Sequence, residues 1–139
     1  MTEEEKPKQW IILRKDLKMR KGKMVAQGAH ASMKVIFDLW SEEYENIFML
    51  KLDGGCDIEH AKPIKEWIKG AFTKITLSVD SEEELIELYN KAKEEGLPCS
   101  LVEDHGLTEF NGVKTKTAIA IGPAYPSQVQ HLTGELKML

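Results

Sequence analysis

Lys23, Gln27, His30 and Lys34 recur at steps of four, three and four residues. At about 100° per residue, an α-helix gathers this cation, amide, imidazole and second cation into one stripe. The stripe begins inside "KMRKGK", residues 18–23. Free backbone N–H groups already make a helix N-terminus positive, and each exposed cation placed there opposes the dipole by about 0.3–1 kcal/mol. A bound anion such as phosphate would reverse that sign, whereas a solvated helix face is the competing explanation for the stripe alone. Gly22 lets the backbone approach a ligand, but neither GxxxxGK[ST] nor GxGxxG is present, which disfavours a nucleotide P-loop or a dinucleotide fold.

A second cluster lies in "EDHGLTEF", residues 103–110, where Asp104 follows an apolar run and precedes Gly106 and Thr108; Thr117 stands just before "AIAIGP". Strand ends in α/β sheets are common ligand sites, although Asp and Thr beside Gly also satisfy local turn backbone. If the first and third strands are parallel neighbours, Lys23, Gln27 and His30 share a rim with Asp104. A cation, an amide, an imidazole and a carboxylate in one crevice suit metal-free hydrolysis. Elsewhere, Glu59–His60 lacks an HExxH context, His131 falls in a late helix, and Asp53 and Asp57 lack EF-hand spacing. Cys56 and Cys99 form neither a CxxC nor a zinc-type spacing, so reduced thiols are expected.

The elements that must position these residues are legible from period and punctuation. "WIIL", residues 10–13, reads as a buried first strand. From Met24 to Trp40, Val25, Met33, Ile36, Phe37 and Trp40, with Ala26 and Ala29, predict a helix that packs this apolar set on the sheet. Residues 41–69 suggest continued helix to about Leu50, a break at Gly54–Gly55 and renewed helix around Pro63. "FTKITLSVD" reads as a strand, and "SEEELIELYNKAKEEG" as a helix with a Ser81 cap, acidic first turn and terminal Gly96. "CSLVED" and "TKTAIAIGP" supply two more strands, and a short helix follows near Ser127–Leu132. The expected fold is α/β, a single domain with a four-stranded mixed sheet and helices on both faces. Residues 1–9 are expected to form a flexible lead-in to a domain at 10–139.

With 139 residues, one domain is expected. Nineteen Lys and Arg against twenty-three Asp and Glu leave a net charge of −4, which argues against a general nucleic-acid coat and leaves room for a locally basic site on an acidic body. The acidic N-terminus lacks secretory patterning, and no apolar run approaches a membrane span of about 20 residues. A cytoplasmic location is expected.

Three ordered motifs, "LRKDLKMRKGKMVAQGAHA", "DHGLTEFNGVKTKTAIAIGP" and "LTGELKML", make the chain resemble the type 2 peptidyl-tRNA hydrolases over about residues 10–40 and 70–139. The resemblance implies cofactor-free hydrolysis of the peptide–tRNA ester by a homodimer. It maps catalytic roles onto Lys23, His30, Asp104, Thr108 and Thr117, with no metal, and substrate contact onto Gln27. Arg14, Lys15, Lys18, Arg20, Lys21 and Lys74 would meet tRNA phosphates. Arg20 departs from the family's usual Gly, Leu107 from a frequent cation, and His105 from a small residue. A non-catalytic RNA- or protein-binding module is the alternative, and a different acylated RNA or a small ester the third reading.

Overall fold

The structure, a computed structural model, describes residues 5–39, 58–107 and 109–139. The chain runs β1 (Lys8–Arg14), α1 (Lys21–Asp38), α2 (Ile58–Lys69), β2 (Lys74–Val79), α3 (Glu82–Glu94), β3 (Cys99–Asp104), β4 (Thr115–Ala124), α4 (Pro126–Thr133) and β5 (Lys137–Met138). The sequence-predicted continuation toward Leu50 and the break at Gly54–Gly55 lie outside the described residues. Renewed helix around Pro63 is present, since Pro63 lies inside α2. No helix among the described residues is long and apolar enough to cross a membrane.

The sheet has five strands in the order β3-β4-β1-β2-β5, one more than expected from sequence. The extra strand, β5, has only two residues, whose antiparallel pairing with Leu77 and Ser78 leaves almost no periodic signal. β1 and β2 are parallel, whereas β4 is antiparallel to both β1 and β3. The first and third strands are therefore not neighbours. They still run in the same direction, so their C-terminal ends open onto one rim with the start of β4. Ordered strand begins at Lys8, ahead of the expected boundary at residue 10, and Gln9 is fully buried.

Alternation divides the core between the two sheet faces. Trp10 and Ile12 of β1 pack with Leu77, Val79, Leu85, Leu88 and Val129, placing α3 and α4 on one face. Ile11 and Leu13 pack with Ala31, Val35, Ala118 and Ala120, placing α1 on the other. The α1 face differs from the one predicted: Gln27, Gly28, Ala31, Ser32 and Val35 are buried, while Val25, Met33 and Phe37 are more than half exposed. Close approach explains the reversal. A Cβ on Gly28 would lie 3.5 Å from the Ile11 side chain, and β4 meets the helix with the small residues Ala118 and Ala120. A small-residue stripe seats the helix where larger side chains would hold it away.

The polar members of that stripe are hydrogen-bonded to the sheet. Ser32 donates to Gln9 Oε1 at 2.6 Å, and Ser100 donates to the Ala31 carbonyl at 2.7 Å. Both tethers are buried, where an unmade bond costs about 1–3 kcal/mol, so they fix α1 against β1 and β3.

Candidate active site

The N-terminal turn of α1 is built against its own electrostatics. Arg20 occupies the cap position without a side-chain capping bond, and the first turn holds no acid. The missing negative charge comes from β3: Lys23 Nζ donates to Asp104 Oδ1 at 2.8 Å, with the two side chains only 13% and 14% exposed. The β3–β4 ladder shifts register between Val102 and Glu103, immediately before this carboxylate. Such bulges re-aim the side chains that follow.

Asp104 collects three donors. Gln27 Nε2 reaches Oδ1 at 3.4 Å, and the Gly106 backbone N–H donates to Oδ2 at 2.8 Å. The hydrogen bond from Lys23 holds the Asp104 carboxyl below the usual carboxylate range; burial pushes the other way, while Gly106, the Lys23 charge and His105 reinforce the lowering. The carboxylate is therefore ionised at neutral pH, with both oxygens occupied. Lys23 also lies 5.5 Å from the centre of the Phe110 ring, whose side chain joins the cluster beneath α1.

Thr117 closes the network from below. Its buried hydroxyl donates to Gln27 Oε1, which turns the Gln27 amide nitrogen toward Asp104. Thr117 thus reaches the carboxylate through Gln27 rather than by facing solvent. His30 is exposed on α1 and makes no hydrogen bond or ion pair, with Asp104 or any other side chain, among the described residues. Thr108 lies outside the described residues.

Around this cluster the cations divide by accessibility. Lys15, Lys18, Arg20 and Lys21 are exposed near the start of α1, and the Arg20 side chain, 90% exposed, makes a 3.9 Å ion pair with Glu109. Arg14 is internalised, pairing twice with Asp16 at 3.1 and 2.7 Å and donating to the Lys116 carbonyl at 3.1 Å. Lys74, at the opposite end of the β1–β2 pair, sits over Trp67 and Phe72. Leu107 is 87% exposed and His105 is exposed, so two departures from the family pattern lie on the surface beside Asp104. Among the described residues, no group of three or more His, Cys, Asp or Glu side chains is placed to hold a metal ion.

Gly106 and Phe110 were missed as site residues by sequence reasoning. The Asp-x-Gly spacing carried a usable signal for Gly106, because an Asp side chain commonly accepts the N–H two residues on. Its φ of +77° also requires glycine, and a Cβ there would meet the Val113 carbonyl oxygen. No local signal marks Phe110, whose relation to Lys23 exists only after the loop folds back.

The chain is similar to known proteins along nearly its whole length. The family described as "Peptidyl-tRNA hydrolase PTH2" matches residues 7–139. A peptidyl-tRNA hydrolase from Methanocaldococcus jannaschii is 38% identical over 129 residues, covering 93% of this chain and 96% of that protein. One from Aeropyrum pernix is 40% identical over 131 residues, covering 94% of each, and one from Methanopyrus kandleri is 36% identical over 132 residues, covering 95% and 97%. With a family match across nearly the whole fold and relatives of matching length, the chain belongs to the PTH2 family of peptidyl-tRNA hydrolases.

Proposed function

We propose that this protein hydrolyses the ester between a peptide and the 3′ end of tRNA, with Lys23, Asp104, Gln27 and Thr117 forming the core of its hydrolytic centre. The carrying observation is the 2.8 Å Lys23–Asp104 pair at the N-terminus of α1, set among exposed cations that fit a phosphate-bearing substrate. Family membership supports the same reaction.

In this reading a water oxygen attacks the ester carbon, its proton passes to Asp104, and the leaving ribose oxygen takes up a proton. Lys23 faces the charge that develops on the carbonyl oxygen. Because Lys23 and Gly106 make Asp104 a weak base, orientation of water and oxyanion stabilisation carry more of the catalysis than proton abstraction. Gln27 keeps Asp104 in register and Thr117 keeps Gln27 in register. Thr108 retains its expected contact with water or ester, and His30, exposed on α1, is assigned to substrate contact. Lys15, Lys18, Arg20 and Lys21 meet phosphates, while Arg14 secures the rim. The reading further includes a cytoplasmic homodimer without a cofactor.

The test is release of peptide from N-blocked aminoacyl-tRNA by wild type and Asp104→Asn, each with a chelator present. Cleavage that persists with chelator and collapses in the folded variant supports the proposal. Folded wild type that binds tRNA without cleaving it would establish a binding module instead. Sedimentation at several concentrations tests the homodimer.

A further inference from the structure

Two residues of the loop between β3 and β4 meet the start of α1. Glu109 lies 3.9 Å from Arg20, and Lys23 Nζ stands over the Phe110 ring, 5.5 Å from its centre. Phe110 is placed there by its own backbone. In "FNGV", residues 110–113, Asn111 and Gly112 have φ +51° and +78°, and the Phe110 carbonyl accepts the Val113 N–H at 2.9 Å. Positive φ at both central positions with that closing bond makes a type I′ turn, which Asn-Gly favours. A second bond, from the Gly112 N–H to the Gly106 carbonyl at 2.8 Å, ties this turn to the residue whose own N–H holds Asp104. One loop therefore fixes both groups beside the Lys23 ammonium: the carboxylate through Gly106 and the ring through the turn.

The two attractions differ in kind. Asp104 accepts an N–H from Lys23 and carries a full negative charge. The face of an aromatic ring is negative without a lone pair, and it attracts an ammonium within about 6 Å, most strongly where water is excluded. With the Lys23 side chain 13% exposed and Phe110 half-buried, the contact is largely shielded. Packing alone does not call for a ring here. An aliphatic side chain could join the apolar cluster beneath α1 as well, but it would bring no field to the ammonium.

We propose that Phe110 is a positioning residue for the hydrolytic step: its ring face holds the Lys23 ammonium beside Asp104, aimed at the oxyanion that forms when water adds to the ester. The proposal rests on the hydrolase reading. Phe110 acts through Lys23 and does not itself touch the ester. As charge grows on the carbonyl oxygen, Lys23 shares its ammonium between that oxygen and Asp104, and the ring steadies it without competing for an N–H.

The experiment replaces Phe110 in the full chain with mono-, di- and trifluorinated phenylalanines, which weaken the negative ring face stepwise while nearly preserving its size. For each protein, kcat and KM on N-acetyl-aminoacyl-tRNA are measured alongside Tm. The expected result is a stepwise fall in kcat, about tenfold in all, at nearly constant KM and Tm, the rate equivalent of a shielded cation–π contact. Phe110→Tyr, which keeps a ring face, should recover most of what Phe110→Leu loses. Added to Lys23→Met, which already lacks the cation, Phe110→Leu should cost no further kcat. The ε-methylene protons of Lys23, read by NMR, should lie upfield under the ring current and return to the ordinary lysine position in Phe110→Leu. A kcat that stays flat across the fluorinated series, or a full further loss on top of Lys23→Met, would overturn the proposal and reduce the ring to packing. Absent turnover by folded wild type would sink the hydrolase reading and the catalytic part of this one, and the Lys23 proton shift would still decide whether the ring holds the ammonium.

Discussion

Lys23→Met combined with Asp104→Asn tests whether the ammonium and carboxylate act as one unit. The substitution at 104 is nearly isosteric, but it cannot serve the same donors. Oδ1 accepts from Lys23 and Gln27 while Oδ2 accepts from Gly106 N–H, so an Asn must turn its NH₂ group toward one of those donors. With both side chains of the pair about one-seventh exposed, solvent replaces little of what is lost. A hydrogen bond to a charged group in such a setting contributes about 1.5–3 kcal/mol, or roughly tenfold to hundredfold in kcat/KM if expressed fully in the transition state. Both single variants should fall by at least that factor, and the double variant should be little worse than the poorer single one. The assay is kcat/KM on N-acetyl-aminoacyl-tRNA for all four proteins, with thermal unfolding as a control for folding. Multiplicative losses in the double variant, or Asp104→Asn within twofold of wild type, would refute the coupled-pair reasoning.

Acid stability should carry the mark of Asp104. Its folded pKa is below the unfolded value of about 3.9, so its contribution is present above that value and is lost as pH falls through the folded one; denaturant unfolding from pH 6 to 2 should show a shallower acid decline in Asp104→Asn. Gly106→Ala should lower stability by about 1–2 kcal/mol or more, from the left-handed backbone and the clash with Val113, and reduce turnover by displacing the N–H from Asp104. Chemical denaturation and turnover of the variant check both effects. Thr117→Val leaves Gln27 Oε1 without its buried donor at a cost of about 1–3 kcal/mol, whereas Thr117→Ser should restore both stability and kcat. His30→Ala should leave kcat within about twofold, below the hundredfold or more expected for loss of a general base, as steady-state kinetics on N-acetyl-aminoacyl-tRNA will show.

Two kinds of residue were readable before folding. Ser81, the acidic run after it and Gly96 delimit α3 because caps and charged first turns act within a few residues; the Ser81 hydroxyl accepts the Glu84 N–H at 3.1 Å, and Gly96 has φ +76°. The improbable cations at the start of a helix likewise demanded a compensating anion. The face of α1 was misread for an equally physical reason. Hydropathy favours Val25, Met33 and Phe37, whereas close packing on Ile11, Ala118 and Ala120 selects Gly28, Ala31 and Ser32.

By itself, then, the sequence determined the strand and helix types, the ionisable groups available for hydrolysis, and the local turn that gives Asp104 its Gly106 partner. Local hydrogen bonding and periodicity need only neighbouring residues. Tertiary structure decided that β4 lies between β1 and β3, that Arg14 donates to the Lys116 carbonyl, that Thr117 meets Gln27, and that Lys23 meets a carboxylate 81 residues away. Those outcomes depend on which surfaces pack closely enough to exclude water, and only the assembled sheet and helix fix that distance.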